Sequence, residues 1–281
     1  MFIGTVQLGS GIMIPKIIHR VWHDENIPTT AYKPHWINSW KTHCPGWDSI
    51  LWTNKHAREF LREHYDWFLP IYNGYDWDIK RGDAIRYFAL HHYGGVYADL
   101  DVELLRPIDE ILSMDKAVFA LECESNTVAN AIMFAEPGLP FWERVFLNMV
   151  KLRNEIVVVA TGPSMLGYSL NDAGQPYKIL KPSTFHPVKR VVARQGLAEV
   201  YKVARRENSY GIHWVRGSWA DEGNTAWTDI RRNMTRCNAM EWVPQLANSH
   251  IYDEDIRLRK ELGQADDSNR KVWKHNHWET I

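Results

Sequence analysis

"HHYGGVYADLDVELL", from His91 to Leu105, places an apolar run behind a glycine pair and closes it with two carboxylates one residue apart, Asp99 and Asp101. The run is short, β-branched and aromatic, and reads as a strand leaving the interior. Upstream, "DIKRGDAIRYFALHHYGG" carries Ile85, Phe88, Ala89 and His92 at helical spacing, with Gly94-Gly95 as the C-terminal stop. Farther upstream, "KIIHRVWH" from Lys16 reads as a first buried strand. A helix follows over Thr30 to His43, stopped by Pro45-Gly46, then a second strand, "DSILW", and a helix through "KHAREFLREH". This alternation predicts an α/β protein with a parallel, Rossmann-like central sheet and flanking helices, whose ligands bind beyond the carboxyl ends of the strands.

Downstream, "KAVFALE" and "AIMFAE" read as two more strands and "LPFWERVFLNMVKL" as an amphipathic helix. "TGPSMLGYSL" opens another helix with Thr161 as its cap. After Pro182 the pattern is one of short strands, "EVYKVARR" and "YGIHWV", and from about Asn224 the chain reads as helical and polar. The expected organisation is one domain over 1–223 and a helical C-terminal extension over 224–281 packed on or trailing from it.

At 281 residues and 45% hydrophobic, the chain can bury a sizeable core. A formal net charge of -1 gives no general field for nucleic acid, so any anion must be caught locally. Cys44, Cys123 and Cys237 are odd in number and far apart, which argues against a disulfide framework or a zinc knuckle and for a reduced compartment. No window reaches eighteen uninterrupted apolar residues, so no transmembrane segment is expected. The 14 tryptophans suit stacking on bases and on the C–H faces of sugars, with core packing as the alternative for each.

An Asp-x-Asp at a strand end, read as sharing one strand face, offers hard oxygen ligands that can share a divalent cation with a diphosphate. The cation then neutralises charge on a leaving group. By itself the tripeptide is a weak signal, because an ordinary acidic strand end contains it by chance.

Its surroundings are specific. "DAIRYFALHHYGGVYADLDVELLRPID" resembles the signature block of glycosyltransferase family 32, the Asp-x-Asp sugar transferases that include fungal α-1,6-mannosyltransferases, inositol-phosphoceramide mannosyltransferases and capsular polysaccharide enzymes. "IPKIIHRVWH", "SWKTHCPGWDSILW", "VANAIMFAEPGLPFWERV", "TGPSML", "FHP" at Phe185 to Pro187 and "IHWVRGSW" at Ile212 to Trp219 are similar to its other blocks, in the same order.

The resemblance implies a GT-A fold with a nucleotide-sugar site above the sheet, in the domain over 1–223. It implies that Asp101 binds Mn²⁺ or Mg²⁺ directly, while Asp99 contacts the metal, ribose or donor sugar. Val21 and Trp22 would border the base, and Asp83 and Arg86 would hold donor-sugar hydroxyls and the sugar or diphosphate. An i,i+3 pair shares a helix face, and an exposed intrahelical salt bridge is the plainer account of it. Asn130 would fix a sugar hydroxyl or stabilise a turn. Thr161 and Gly162 would present helix N–H groups to phosphate or acceptor, or form an ordinary cap. His213 would complete the metal shell or make a structural hydrogen bond. Ser218 and Trp219 would close over the diphosphate, with core packing as the alternative for Trp219.

The activity so implied is metal-dependent, retaining transfer of a hexose from a nucleotide diphosphate sugar to a glycan or glycolipid. Mannose leads galactose, glucose and N-acetylglucosamine. The absence of an apolar span points to a cytoplasmic enzyme, with peripheral work at a membrane surface. Two rivals stand beside it. One is a carbohydrate-binding relative that no longer catalyses; the other is a glycoside hydrolase, which needs two carboxyl groups roughly 5 to 9.5 Å apart across the scissile bond.

Overall fold

The computed structural model describes residues 13–29, 32–123, 127–171, 177–189, 196–215, 271–274 and 277–280. Its first half alternates as expected: β1 (Ile17–Val21), α1 (Pro34–His43), β2 (Asp48–Trp52), α2 (Asn54–His64), α3 (Leu69–Gly74), α4 (Asp78–Tyr93) and β3 (Gly95–Ala98). β4 (Val102–Leu104), β5 (Ala117–Leu121) and β6 (Val128–Ala135) follow, then α5 (Phe141–Lys151), α6 (Val157–Ala160), α7 (Pro163–Asn171) and β7 (Lys178–Leu180). α8 (Leu197–Arg206) and β8 (Gly211–His213) complete the main body, and β9 (Lys271–Lys274) and β10 (His277–Thr280) pair with each other as an antiparallel hairpin.

Six strands form the central sheet in the order β2-β1-β3-β6-β5-β7. Apolar residues occupy both faces with the two-residue period of a strand. Tyr97, Phe119, Met133 and Ala135 belong to the core on one face; Val96, Ala98, Val118, Ala120, Ile132 and Phe134 belong to the core on the other. Helices α4, α5 and α7 cover the first face, where Phe88 and Phe146 stack with centroids 4.0 Å apart. The second is covered by α1 and the turn Asp109–Ser113, and Trp40 on α1 donates its indole N–H to the Val102 carbonyl at 2.8 Å.

Several expectations need correcting. The sheet is mixed rather than parallel: β6 runs antiparallel to β3 and β5. The β5–β6 connection is closed by a Glu122 N–H to Thr127 carbonyl bond, far too short for the crossover a parallel pair requires. "VYADLDVEL" is two strands, because Asp99-Leu100-Asp101 forms a turn in which the Val102 N–H donates to the Asp99 carbonyl at 3.1 Å. β4 then leaves the central sheet and pairs antiparallel with β8. "EVYKVARR" is helix α8, with Val200 and Ala204 buried four residues apart and Arg205 and Arg206 in the last turn, where they suit the helix dipole. Helix α4 has no single apolar stripe; Asp83 through His91 are all buried, so the element is central. Of the extension over 224–281, the described residues 271–274 and 277–280 are strands, not helix, and the rest lies outside the described residues.

The glycine pair does more than stop a helix. Gly94 has φ +63° and donates its N–H to the Leu90 carbonyl, closing α4. Gly95 has φ +100°, and a Cβ on it would sit 2.5 Å from the Ile17 carbonyl oxygen. Only glycine lets β3 run this close to β1. The same close passage delivers Asp99 to the sheet's carboxyl edge.

Candidate active site

α4 and β3 together build the first half of the site. Asp83 and Arg86, one turn apart on α4, are only 4% and 6% exposed, so the plainer account of an exposed salt bridge fails. Arg86 Nη2 lies 2.9 Å from Asp83 Oδ1, and its Nη1 lies 3.1 Å from Asp99 Oδ1 and 3.0 Å from the Asn130 carbonyl oxygen. The guanidinium also stands over the Tyr97 ring, 4.7 Å from its centroid. Tyr97 donates its hydroxyl to Asp99 Oδ1 at 2.6 Å, a contact that strand alternation permits because residues 97 and 99 leave the sheet on one side.

Asp83 is held from two further directions, and Tyr87 ties the two holders together. Asn130 donates its amide to Asp83 Oδ1 at 3.2 Å and to the Tyr87 hydroxyl at 3.1 Å, Thr161 donates to Asp83 Oδ2 at 3.1 Å, and Tyr87 donates to the Thr161 carbonyl at 2.7 Å. Burial pushes the Asp83 carboxyl up to about 6 against the pull of Arg86. Burial likewise raises Asp99, opposed by Arg86. The desolvation of Arg86 is outweighed by Asp99, Tyr97 and Asp83, which fix it as a cation.

The second half comes from the β4–β8 ribbon. Val102 pairs with His213, and the Trp214 N–H donates to the Asp101 carbonyl at 3.0 Å, so the late histidine is drawn to the turn by strand pairing. His213 Nε2 lies 3.4 Å from Asp101 Oδ1 and 4.0 Å from Asp99 Oδ2. Burial alone would lower its pKa, yet the two carboxylates raise it above the usual value. One donor atom each from Asp99, Asp101 and His213 lies within 4.8 Å of the others. Asp99 divides its work, with Oδ1 committed to Arg86 and Tyr97 and Oδ2 turned toward His213.

Two hard oxygens and an imidazole so gathered fit a divalent cation, Mn²⁺ better than Mg²⁺ on account of the nitrogen donor. Gathered with one imidazole round a common point, the two carboxylates suit a shared cation better than a hydrolytic pair set on either side of a glycosidic bond.

The other residues singled out in the sequence distribute unevenly. Val21 lies at the end of β1, and a Cβ on Gly82 of α4 would stand 3.5 Å from its Cγ1. Trp22 is half-buried, donates its indole N–H to the Asn26 carbonyl at 3.2 Å and meets Tyr32 edge-on at 5.2 Å. Asn130 is in the cluster, but its amide is already engaged as donor to Asp83 and Tyr87. Thr161 does not cap α7; its hydroxyl goes to Asp83. Gly162 offers no free N–H, since that group donates to the Val157 carbonyl at 3.0 Å, and a Cβ would stand 2.8 Å from Val158 Cα. Ser218 and Trp219 lie outside the described residues.

Four residues that sequence reasoning missed take part. Tyr97 and Tyr87 could have been found by their spacing from Asp99 and Asp83. Arg20 packs its guanidinium 5.0 Å from the Trp40 ring centroid with Nη1 3.5 Å from the Asp99 carbonyl oxygen, and burial lowers its pKa to about 10. Its place in β1 gave no sign of this, because a buried arginine is rare. His186 stands in the sequence only as the middle of "FHP", and its Nε2 lies 3.0 Å from His213 Nδ1.

Residues 31–118, which hold Asp83, Arg86, Asp99 and Asp101, match the family described as the glycosyltransferase sugar-binding region containing the DXD motif. Inositol phosphoceramide mannosyltransferase 1 of Schizosaccharomyces pombe is 38% identical over 165 residues, covering 55% of this chain and 50% of that protein. Inositol phosphoceramide mannosyltransferase 2 of the same organism is 31% identical over 227 residues, covering 77% and 62%. The chain therefore spans between half and two thirds of the length of these two curated relatives. Among solved structures, the PaToxG glycosyltransferase is similar at a TM-score of 0.46 and 15% identity, over 69% of this chain and 78% of that one. With its Asp-x-Asp block matched by that family and mannosyltransferases among the proteins it is similar to, the chain carries, over residues 31–118, a sugar-binding region of the DXD-containing glycosyltransferase type.

Proposed function

We propose that the protein transfers a hexose, mannose first among candidates, from a nucleotide diphosphate sugar to a glycolipid or glycan hydroxyl, with retention at the anomeric carbon. The observation that carries this reading is the convergence of Asp99, Asp101 and His213 beside the buried Asp83–Arg86 pair. Mannose and a glycolipid acceptor are favoured because the relatives are named inositol phosphoceramide mannosyltransferases. Such an acceptor directs the reaction to a membrane surface, although no helix among the described residues is long and apolar enough to cross a membrane. A cytoplasmic location remains the one proposed.

Asp99, Asp101 and His213 would hold Mn²⁺ or Mg²⁺, which when bound supplies Lewis-acid neutralisation of the departing diphosphate. The chain's own work is positioning. Arg86 holds Asp83 and Asp99 in fixed orientations, and Asp83, braced by Asn130 and Thr161, presents a carboxylate to donor-sugar hydroxyls. Val21 and Trp22 border the base. In the transfer itself the bond from the anomeric carbon to the diphosphate oxygen breaks, and a bond to the acceptor oxygen forms on the same face. The acceptor proton passes to the departing diphosphate. Holding both substrates in place supplies much of the rate.

The test is a panel of GDP-mannose, UDP-galactose, UDP-glucose and UDP-N-acetylglucosamine, each with and without Mn²⁺, following nucleoside diphosphate release. Metal-dependent release from GDP-mannose is expected. No release from any donor, with no Mn²⁺-dependent binding of GDP or UDP, would overturn the reading in favour of a carbohydrate-binding relative.

A further inference from the structure

The block "FHP" enters the site through one contact that the proposed reaction leaves unused. His186 is 5% exposed, and its backbone is pinned by an N–H to Pro182 carbonyl bond of 2.7 Å. The neighbouring Phe185 carbonyl accepts the His213 N–H at 2.8 Å. Both backbones are therefore fixed relative to each other, and the rings meet edge-on, 5.0 Å apart at 85°, with His186 Nε2 3.0 Å from His213 Nδ1. A contact of that length between two imidazole nitrogens carries one proton, and where it sits determines what His213 presents to the carboxylates.

With His213 neutral, two arrangements are open. With the proton on His213 Nδ1, His186 accepts, and the Nε2 lone pair of His213 faces Asp99 and Asp101, a set of three donors that only a cation can join. With the proton on His186 Nε2, His213 accepts at Nδ1 and carries its own proton on Nε2, aimed at Asp101 from 3.4 Å, where it occupies the cation's place. Ligating histidines fix their tautomer by donating the other ring N–H to a nearby acceptor.

We propose that His186 is a positioning residue: it accepts the Nδ1–H of His213 and so reserves Nε2 of His213 for the divalent cation. A neutral acceptor does this without adding a fourth carboxylate to a site that already gathers Asp83, Asp99 and Asp101. The inference rests on the metal-binding reading of that site, and its test separates the two.

The experiment uses the full chain, metal-free and then titrated with Mn²⁺ under electron paramagnetic resonance, in wild type, His186→Gln and His186→Leu. Glutamine keeps an acceptor oxygen at this position and leucine does not. Affinity for Mn²⁺ should fall about 10 to 100-fold in His186→Leu and stay within about threefold in His186→Gln. Unchanged affinity in a folded His186→Leu, or equal losses in both variants, would overturn the proposal. Imidazole ¹⁵N shifts of metal-free wild type, recorded at a pH where His213 is neutral, read the tautomer even if the leucine variant fails to fold. A proton on Nδ1 supports the proposal and one on Nε2 refutes it. Wild-type protein that keeps Nδ1–H yet binds no Mn²⁺ would sink the metal reading while leaving the tautomer assignment standing.

Discussion

The two halves of the site are built by different means. The α4–β3 half, with Asp83, Arg86, Tyr97 and Asp99, grows from one continuous stretch of chain laid against the central sheet and is closed by a web of charge-assisted hydrogen bonds. The β4–β8 half, with Asp101 and His213, depends on a three-residue ribbon joining distant parts of the chain. The first has its charges paired before any ligand arrives. The second is held by few main-chain bonds and brings carboxylates together with an imidazole that a cation would tie down. A preorganised wall beside a ligand-completed corner is a division of labour that substitution can probe from either side.

The largest expected effect is on the corner. Asp101→Asn should lower metal-dependent turnover by at least about 10³-fold with the circular dichroism spectrum unchanged, because a transition-state electrostatic contact is lost while the turn's backbone bonds remain. Substantial turnover at saturating Mn²⁺ would remove Asp101 from its assigned place. The wall should respond in stability. Arg86→Met leaves Asp83 and Asp99 without their cation in a buried setting and should cost about 3–5 kcal/mol in urea unfolding. An unchanged midpoint would mean that the web is ornamental.

Acid should also act on the wall side. Burial lowers His19 to about 4, His91 to about 3 and His92 to about 4, so each is neutral in the fold at pH 7. The unfolded chain binds their protons first, near pH 6.5. The stability they contribute is therefore complete above about 6.5 and is lost as pH falls toward 4, by up to about 1.4 kcal/mol per pH unit for each residue. Asp83, raised to about 6, works in the opposite direction, as do Asp99 and His213, both raised, while His186, lowered by burial to about 3, acts with the other three histidines. Thermal midpoints should thus drop between pH 7 and pH 5, and a flat or rising profile would contradict these burials. The smallest effect belongs to the ribbon's outer side, where Tyr201 donates to Glu103 at 2.9 Å and Trp214 donates its indole N–H to the same carboxylate at 3.0 Å. Tyr201→Phe should cost about 1 kcal/mol by urea unfolding, since Trp214 still satisfies Glu103. A loss as large as that of Arg86→Met would mean that the ribbon, not the wall, is the more tightly fastened half.

The same contrast explains what could be read from sequence. The wall is legible because its parts are local: i,i+3 spacing sets Asp83 against Arg86, and two-residue strand spacing sets Tyr97 beside Asp99. The strands were legible as apolar runs, but their direction was not. A buried run looks alike in a parallel or an antiparallel pair, and only the short link between Leu121 and Val128 forbids a parallel one. α8 was misread because Val200, Val203 and Ala204 among charges admit either period, and burial of Val200 with Ala204 decides for the helix. The partnership of His186 with His213, like the burial of Arg20, depends on tertiary approach that no local pattern carries. Asn130 lies in the cluster and Gly162 follows Thr161 in the chain, yet their hydrogen bonds turn inward to the fold.

The β4–β8 pairing has a consequence for the growing chain. During synthesis from the N-terminus, Asp99 and Asp101 leave the ribosome long before His213, and the ribbon that joins them cannot zip until residues beyond 213 have emerged. A nascent chain stalled short of that point would possess the whole α4–β3 wall and still lack its third donor. If the three donors hold a cation as proposed, its tight capture is a late event in the molecule's history, and a full complement of donors certifies that the body of the domain has been made and folded.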